Sequence, residues 1–367
     1  MNPRQRALSV LNRKRPDCVP WFGDLDYWAT ALIGRGQRPP DFKTSQAYID
    51  WHRDLGVGFY LQGYFPFKTI IENCEVKNWN EGSKRYRQID TPKGILRECW
   101  TWIADSFTEG PTEHLIKTID DLPAYQYIHE NTRYEPDYEF AYQRLEQIGD
   151  MGLLVAYLPK SPLMQMVALD AGIVAVVDIF MQDQAALAQT VNIIKTSHDK
   201  AAQISLQSPA EILMIPENLS AEVVGPLLFN DYMRPYQQEW AAKIKNAGKY
   251  STIHMDGTLK GLLREECSVG LSFIEAMTPA PVGDLGVEGW ADFVEDKETV
   301  FWGGIPGVYF TPHLSDEQFD EFVIKTLLVM ASEPRYVLGV ADQVPPDGLE
   351  SRVRRVSELL DKYGNYA

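Results

Sequence analysis

Cysteine is scarce in this chain. Cys18, Cys74, Cys99 and Cys267 are the only four in 367 residues, and no two have a CxxC or zinc-finger spacing. That excludes a disulfide-stapled scaffold and a cysteine-built zinc module, so free thiols in a reducing cytoplasm are expected. Positive charge is also in deficit: 35 Lys and Arg against 51 Asp and Glu give a net charge of −16 and a pI near 4.9. Nucleic acids and anionic membranes need basic patches, so neither is an expected partner. The one locally basic stretch, Trp79 to Arg97, is short and reads as a hairpin. No apolar run approaches the roughly 18 residues of a membrane span. Met1–Arg15 is polar and rich in arginine, unlike a signal peptide. There is no low-complexity linker and no repeat of roughly 20–50 residues.

What is present is an alternation of strands and helices. Strand-like segments fall at Val19–Asp24, Gly58–Gly63, Leu153–Leu158, Ile212–Ile215, Tyr250–His254, Ser272–Ala276, Thr299–Gly303 and Tyr336–Val340. Amphipathic helices stand between them, for example Phe229–Ala247, Asp316–Ala331 and Glu350–Tyr363, with apolar residues at three- and four-residue steps. The pattern predicts an α/β fold, a (β/α)8 TIM-like barrel filling residues 1–367 as one domain. A doubly wound sheet is the alternative, but no Gly-x-Gly-x-x-Gly follows the first strand. Residues 71–119 break the alternation and read as β-hairpins with a Thr91-Pro92-Lys93-Gly94 turn, an expected insertion after strand 2 over the barrel mouth.

Chemistry-bearing side chains recur at the C-terminal strand ends, where barrels keep their active sites. These are Asp24 and Asp26, Glu217 and Asn218, His254 and Asp256, Glu275, and Asp342. In Ile253-His254-Met255-Asp256-Gly257 the acid and the imidazole point to one side, because side chains alternate along a strand. A lone His-x-Asp is as often a core histidine beside a capping Asp. Buried acids such as Glu275, inside Phe273-Ile274-Glu275-Ala276-Met277, are costly unless paired, protonated or metal-bound. His254 with several carboxylates fits either a divalent-metal set or an acid–base network. Aromatic residues crowd the N-terminal part. Most such rings are core, but Tyr64, Phe65 and Phe67 follow a strand end and are placed to line a site for a flat ligand.

The order of landmarks resembles the uroporphyrinogen decarboxylase-like superfamily, and within it the corrinoid-dependent methyltransferases. They are Pro3-Arg4-Gln5-Arg6-Ala7-Leu8 with Arg15-Pro16-Asp17-Cys18-Val19-Pro20, Ser161-Pro162, His254-Met255-Asp256-Gly257, Gly303-Gly304-Ile305, Pro345-Pro346-Asp347-Gly348 and Tyr363-Gly364-Asn365-Tyr366. The likeness spans essentially the whole chain and implies a TIM-like barrel. Two departures narrow the activity. Decarboxylases of this kind resemble one another in an arginine motif after the first strand; here that place reads Trp21-Phe22-Gly23-Asp24-Leu25-Asp26-Tyr27-Trp28. Acids there would repel a polycarboxylate. The methyltransferases resemble one another in a His-x-Cys, acid, Cys zinc site; the matching positions here are His254, Asp256, Glu275 and Asp342, with both thiolate positions replaced by carboxylates. Oxygen ligands suit oxygen substrates better than thiols.

The resemblance therefore implies a methyltransferase that takes a methyl group from a small methylated substrate, best an aromatic methyl ether (O-demethylation). The acceptor is the Co(I) corrinoid of a separate corrinoid protein, since no Asp-x-His-x-x-Gly cobalamin motif occurs in the chain. His254, Glu217 and Asp24 are the candidate catalytic groups. His254, Asp256, Glu275 and Asp342 are candidate ligands of zinc or another divalent metal. Trp21, Asp26, Tyr64, Asn218 and Trp302 are candidate substrate contacts. The sequence leaves a homodimer open. The competing readings are a decarboxylase or other lyase on the same barrel, and a barrel that binds without catalysis.

Overall fold

A computed structural model describes residues 1–60 and 64–366. Its centre is a curled, all-parallel sheet. The barrel strands, labelled in chain order, are β1 (Trp21–Phe22), β2 (Phe59–Tyr60), β3 (Val155–Tyr157), β4 (Ile212–Leu219), β5 (Tyr250–Met255), β6 (Phe273–Met277), β7 (Val300–Pro306) and β8 (Tyr336–Ala341). Seven of them form one sheet in the order β1-β8-β7-β6-β5-β4-β3. The remaining pairings bring its ends together: Phe22 bridges Gly58 beside β2, and β2 pairs with Gly152–Leu153, just before β3. This α/β architecture is consistent with a TIM-like barrel. The strand candidates read from the sequence coincide with these elements to within a few residues, except that positions 61–63 of the second lie outside the described residues.

β6, β7 and β8 are buried at every position, as parallel strands covered on both faces must be. Alternate side chains fill two cores. Inside the barrel, Phe22, Tyr60, Phe273 and Trp302 pack together with Ala7, Val10 and Leu11 of the helix Pro3–Leu11. That helix starts cleanly because Asn2 and Gln5 form a reciprocal capping box with Pro3 at the first turn. Outside the barrel, the larger core joins the strands to the surrounding helices. Glu350–Tyr363 forms as read, and Asp316–Met330 ends one residue early. The helix expected from Phe229 begins as a π-turn over Phe229–Met233 and becomes regular at Arg234–Asn246.

The segment that breaks the alternation is antiparallel. Glu75–Glu81, Lys84–Thr91, Gly94–Ile103 and Thr108–Glu113 pair in sequence order, with Thr91 opposite Gly94 across the turn. The β-rich region reaches beyond the expected limits: Phe67–Ile71 pairs with Thr132–Pro136 on the far side of the helix Leu122–Glu130. The sheet is tied to loops that follow strand C-terminal ends. Ile116 N–H donates to Asp170 O at 2.7 Å, and His114 Nδ1 to Leu169 O at 2.9 Å. The Tyr27 hydroxyl donates to Ser106 O. These contacts hold the sheet on the mouth side of the barrel. Among the described residues no helix is long and apolar enough to cross a membrane, and the four cysteines are free.

Candidate active site

Parallel pairing decides which groups meet. The register of β5 against β6 sets His254 opposite Glu275. Both side chains point the same way at adjacent strands' ends, and His254 Nδ1–H donates to Glu275 Oε2 at 2.7 Å. The second carboxylate oxygen accepts from the Tyr60 hydroxyl of β2 at 2.9 Å. Tyr60 in turn rests its ring on Trp302, centroids 5.0 Å apart. A Tyr60–Glu275–His254 relay thus crosses the barrel from core to mouth. On the open side, His254 Nε2 faces Asp342 Oδ1 at 3.6 Å, too long for a hydrogen bond but close enough for charge attraction.

Burial would lower the His254 pKa. The carboxylates of Glu275, Asp342 and Asp256 outweigh it and raise the imidazole to about 9. His254 is therefore a buried imidazolium at neutral pH, with Nε2–H directed at the mouth. Burial raises the Asp342 carboxyl and the imidazolium opposes it. Since 56 % of the Asp342 side chain is exposed, solvent keeps that rise small.

The rim is built from unusual backbone. Asn218, Ala276 and Asp342 have φ of 52°, 65° and 67°, at the C-terminal ends of β4, β6 and β8. Register shifts accompany two of them, between Ile215 and Leu219 and between Ile274 and Met277. Asn and Asp tolerate this region; Ala276 is strained by about 1–2 kcal/mol. Strain of this kind collects where side chains must be aimed against the strand's own alternation. A cavity of about 340 Å³ opens beside Asp342, bordered by Tyr27, Val308, His313 and Gln343.

The other residues singled out from the sequence divide into two groups. Asp24 shares the mouth: its carboxylate accepts from Gln343 Nε2 and from Asp26 N–H, both at 2.8 Å. Burial first, then the neighbouring Asp26, pushes the Asp24 carboxyl well above the usual range. Asp26 opens its helix and binds Lys43 Nζ at 2.8 Å, away from His254. Asp256 is half-buried, and its charge reaches His254 and Asp342. Glu217 turns the other way. It shares the outer face of β4 with Leu213 and Ile215, where it accepts from Ser161 N–H and from Gln237 Nε2, both at 3.1 Å. Burial raises its carboxyl, and it is not in contact with His254.

Three of the expected substrate contacts are placed otherwise. Trp302 is fully buried in the barrel interior against Phe22, Tyr60 and Phe273, with no face open to a ligand. Trp21 is also buried and stacks on Phe310 outside the barrel, because its place on β1 turns it away from the interior. Tyr64 leans on Phe140 and donates to Asp137 O at 2.6 Å. Asn218 is exposed at the rim. Tyr60 and Gln343 belong to the site, and sequence reasoning misses both. Tyr60 looks like one more core ring, and only its opposition to Glu275 distinguishes it.

The donor atoms themselves do not fit a resident metal ion. His254 Nδ1 is committed to Glu275, one Glu275 oxygen to Tyr60, and Nε2 stands 3.6 Å from Asp342. Among the described residues no set of three or more His, Cys, Asp or Glu side chains is disposed to hold a metal ion. His254 and Glu275 satisfy each other, and Asp342 and Asp256 act on the imidazole by charge.

The comparisons agree with the fold. In structure, the chain is similar to a methyltransferase from Methanosarcina mazei, with 13 % sequence identity, a TM-score of 0.64 and 99 % of each chain covered; this is a likeness of fold. The tandem GH20 catalytic modules of a pneumococcal exo-β-D-N-acetylglucosaminidase align at 10 % identity over 62 % of this chain and 63 % of that one, but a TM-score of 0.35 carries no argument. No curated protein matches the chain. Residues 159–363, more than half of the chain and the part that carries β4 to β8, match the model of the uroporphyrinogen decarboxylase (URO-D) family. The chain belongs to that family.

Proposed function

We propose that the protein is a methyltransferase of the URO-D family that moves a methyl group from an aromatic methyl ether to the Co(I) corrinoid of a separate protein. The observation that carries the reading is the imidazolium of His254, held by Glu275 at the mouth with its second N–H free to serve an incoming oxygen. An ether is a poor leaving group because the departing oxygen is a strong base. As the carbon–oxygen bond breaks, the ether oxygen keeps the bonding electrons and takes the proton from His254 Nε2. The methyl carbon leaves for the nucleophilic acceptor, and a neutral phenol remains. Glu275 stabilises the imidazolium beforehand and, with Tyr60, fixes the ring's orientation. Asp342, over half exposed at the rim, keeps the mouth acidic, which disfavours carboxylate-rich substrates. That acidity, and the absence of arginine in Trp21-Phe22-Gly23-Asp24-Leu25-Asp26, weighs against the decarboxylase for which the family is named.

The test is a methyl-transfer assay with added Co(I) corrinoid protein and a panel of methoxylated aromatics, methylamines and methanol. Demethylation of the aromatic ethers is expected. His254→Ala should lower that rate by about 10²–10⁴-fold with the fold intact by circular dichroism. Near-wild-type turnover by the variant, or carbon dioxide release from a porphyrinogen, would overturn the reading. Metal analysis of protein purified without chelator completes it. A stoichiometric divalent ion lost in His254→Ala would replace the proton by a Lewis acid.

A further inference from the structure

A second cavity, of about 370 Å³, lies between the antiparallel insertion and the end of β3, and neither His254 nor Asp342 borders it. Its walls are aromatic: Phe67 and Tyr134 meet edge to face with centroids 5.4 Å apart, and Phe65 closes the side towards Tyr157. Two polar side chains, each more than nine-tenths buried, border it. Asp170 Oδ2 accepts from the Tyr125 hydroxyl at 2.6 Å and from Gln165 Nε2 at 2.8 Å, while Oδ1 has no hydrogen-bond partner among the described residues. His198 Nδ1 lies 2.9 Å from the Lys160 carbonyl. A carbonyl only accepts, so the proton is on Nδ1 and Nε2 presents a lone pair, also without a hydrogen-bond partner among the described residues. Two cations also border it: Arg87, whose Nε pairs with Glu98 at 2.7 Å, and Lys160, whose Nζ donates to the neutral Pro216 carbonyl and keeps its charge.

The cavity therefore offers a flat apolar slot with two hydrogen-bond acceptors that have no partner among the described residues. An ether without a donor would leave both acceptors unpaired. We propose that this cavity is a binding site for a neutral phenol, its ring against Phe67 and Tyr134 and its hydroxyl donating to one of the two acceptors, Asp170 Oδ1 or His198 Nε2. Aromatic pockets with a few convergent polar groups are the usual form of small-molecule sites. The proposal concerns binding alone and stands or falls apart from methyl transfer at His254.

The experiment is isothermal titration of the full chain, without corrinoid protein, with phenol, 2-methoxyphenol, anisole and benzoate. Both phenols should bind one per chain and at least about tenfold tighter than anisole, the value of one hydrogen bond. Asp170→Asn, which turns an amide donor into the cavity, should weaken phenol about tenfold and improve benzoate. Phe67→Ala, at a half-buried wall position, should weaken both phenols while sparing the buried network, so a folding defect in Asp170→Asn leaves the question decidable. His254→Ala should leave phenol binding at this cavity unchanged, whatever it does to ether binding at the mouth. Anisole binding as tightly as phenol, absence of phenol binding, or loss of it in His254→Ala would overturn the proposal.

Discussion

At the barrel mouth, burial would lower the His254 pKa, but Glu275, Asp342 and Asp256 carry the imidazole to about 9. Beneath the antiparallel sheet the same burial acts without a carboxylate hydrogen-bonded to the imidazole. His129 falls to about 3, with His198 adding to the effect, and His198 falls to about 4 despite its bond to the Lys160 carbonyl. His52, packed among the rings of Tyr48 and Phe59, falls to about 3. Desolvation is common to all four histidines, so it is the neighbouring charge that sets the sign. A single chain thus holds a proton-donating site and a lone-pair-presenting one.

Removing Glu275 should break the contrast most severely. In Glu275→Leu, His254 is expected to titrate below its ordinary 6.5 by NMR, like the cavity histidines, and methyl transfer should fall by about 10²–10⁴-fold. An imidazole that still titrates above neutrality would show that Asp342 and Asp256 hold it instead.

The two regions should also respond to pH with opposite sign. His254 binds its proton more tightly folded, at about 9, than unfolded, near 6.5. Its contribution is fully present below pH 6.5 and is lost as pH rises through 9, on the order of 3 kcal/mol. His129 and His198 are lowered, so their contribution is present above 6.5 and is lost as pH falls towards 4 and then 3. Urea unfolding across this range should give a maximum near about pH 6.5 to 7. In His254→Gln the alkaline limb should flatten while the acid limb stays.

Smaller effects sharpen the geometry. Tyr60→Phe removes the hydroxyl on Glu275 and should destabilise by about 1 kcal/mol, with a modest shift in the His254 titration. Asp342→Asn should change stability by less than about 0.5 kcal/mol, because the side chain is over half exposed. An equal loss from both variants would mean that the mouth is drier than its exposure indicates.

Much of the fold and part of the site are legible in the chain. The strands announce themselves as short apolar runs, continuous because both faces are covered, and their C-terminal ends name His254, Glu275, Asp342 and Asp24 as neighbours. Glu217 faces away from His254 because alternation along β4 sets it with Leu213, Ile215 and Leu219 on the outer face, a side that only the assembled sheet identifies. Trp21 and Trp302 lie in the two cores, a placement hidden in the sequence because strand-end aromatics look alike there whether they face a ligand or the core. The cavity acceptors are invisible for another reason. Asp170, His129 and His198 lie on separate segments, joined only when the insertion folds back through Phe67–Ile71 and Thr132–Pro136.

By itself the sequence determined the barrel, its family and the charge of the mouth, since these follow from local periodicity and from residue types at strand ends. Only the tertiary structure decided that His254 is hydrogen-bonded to a buried carboxylate, Glu275, while His198 is hydrogen-bonded to a neutral carbonyl. Protonation of a buried imidazole depends on which charge lies within a few ångströms, a distance set by strand register and loop return rather than by position along the chain.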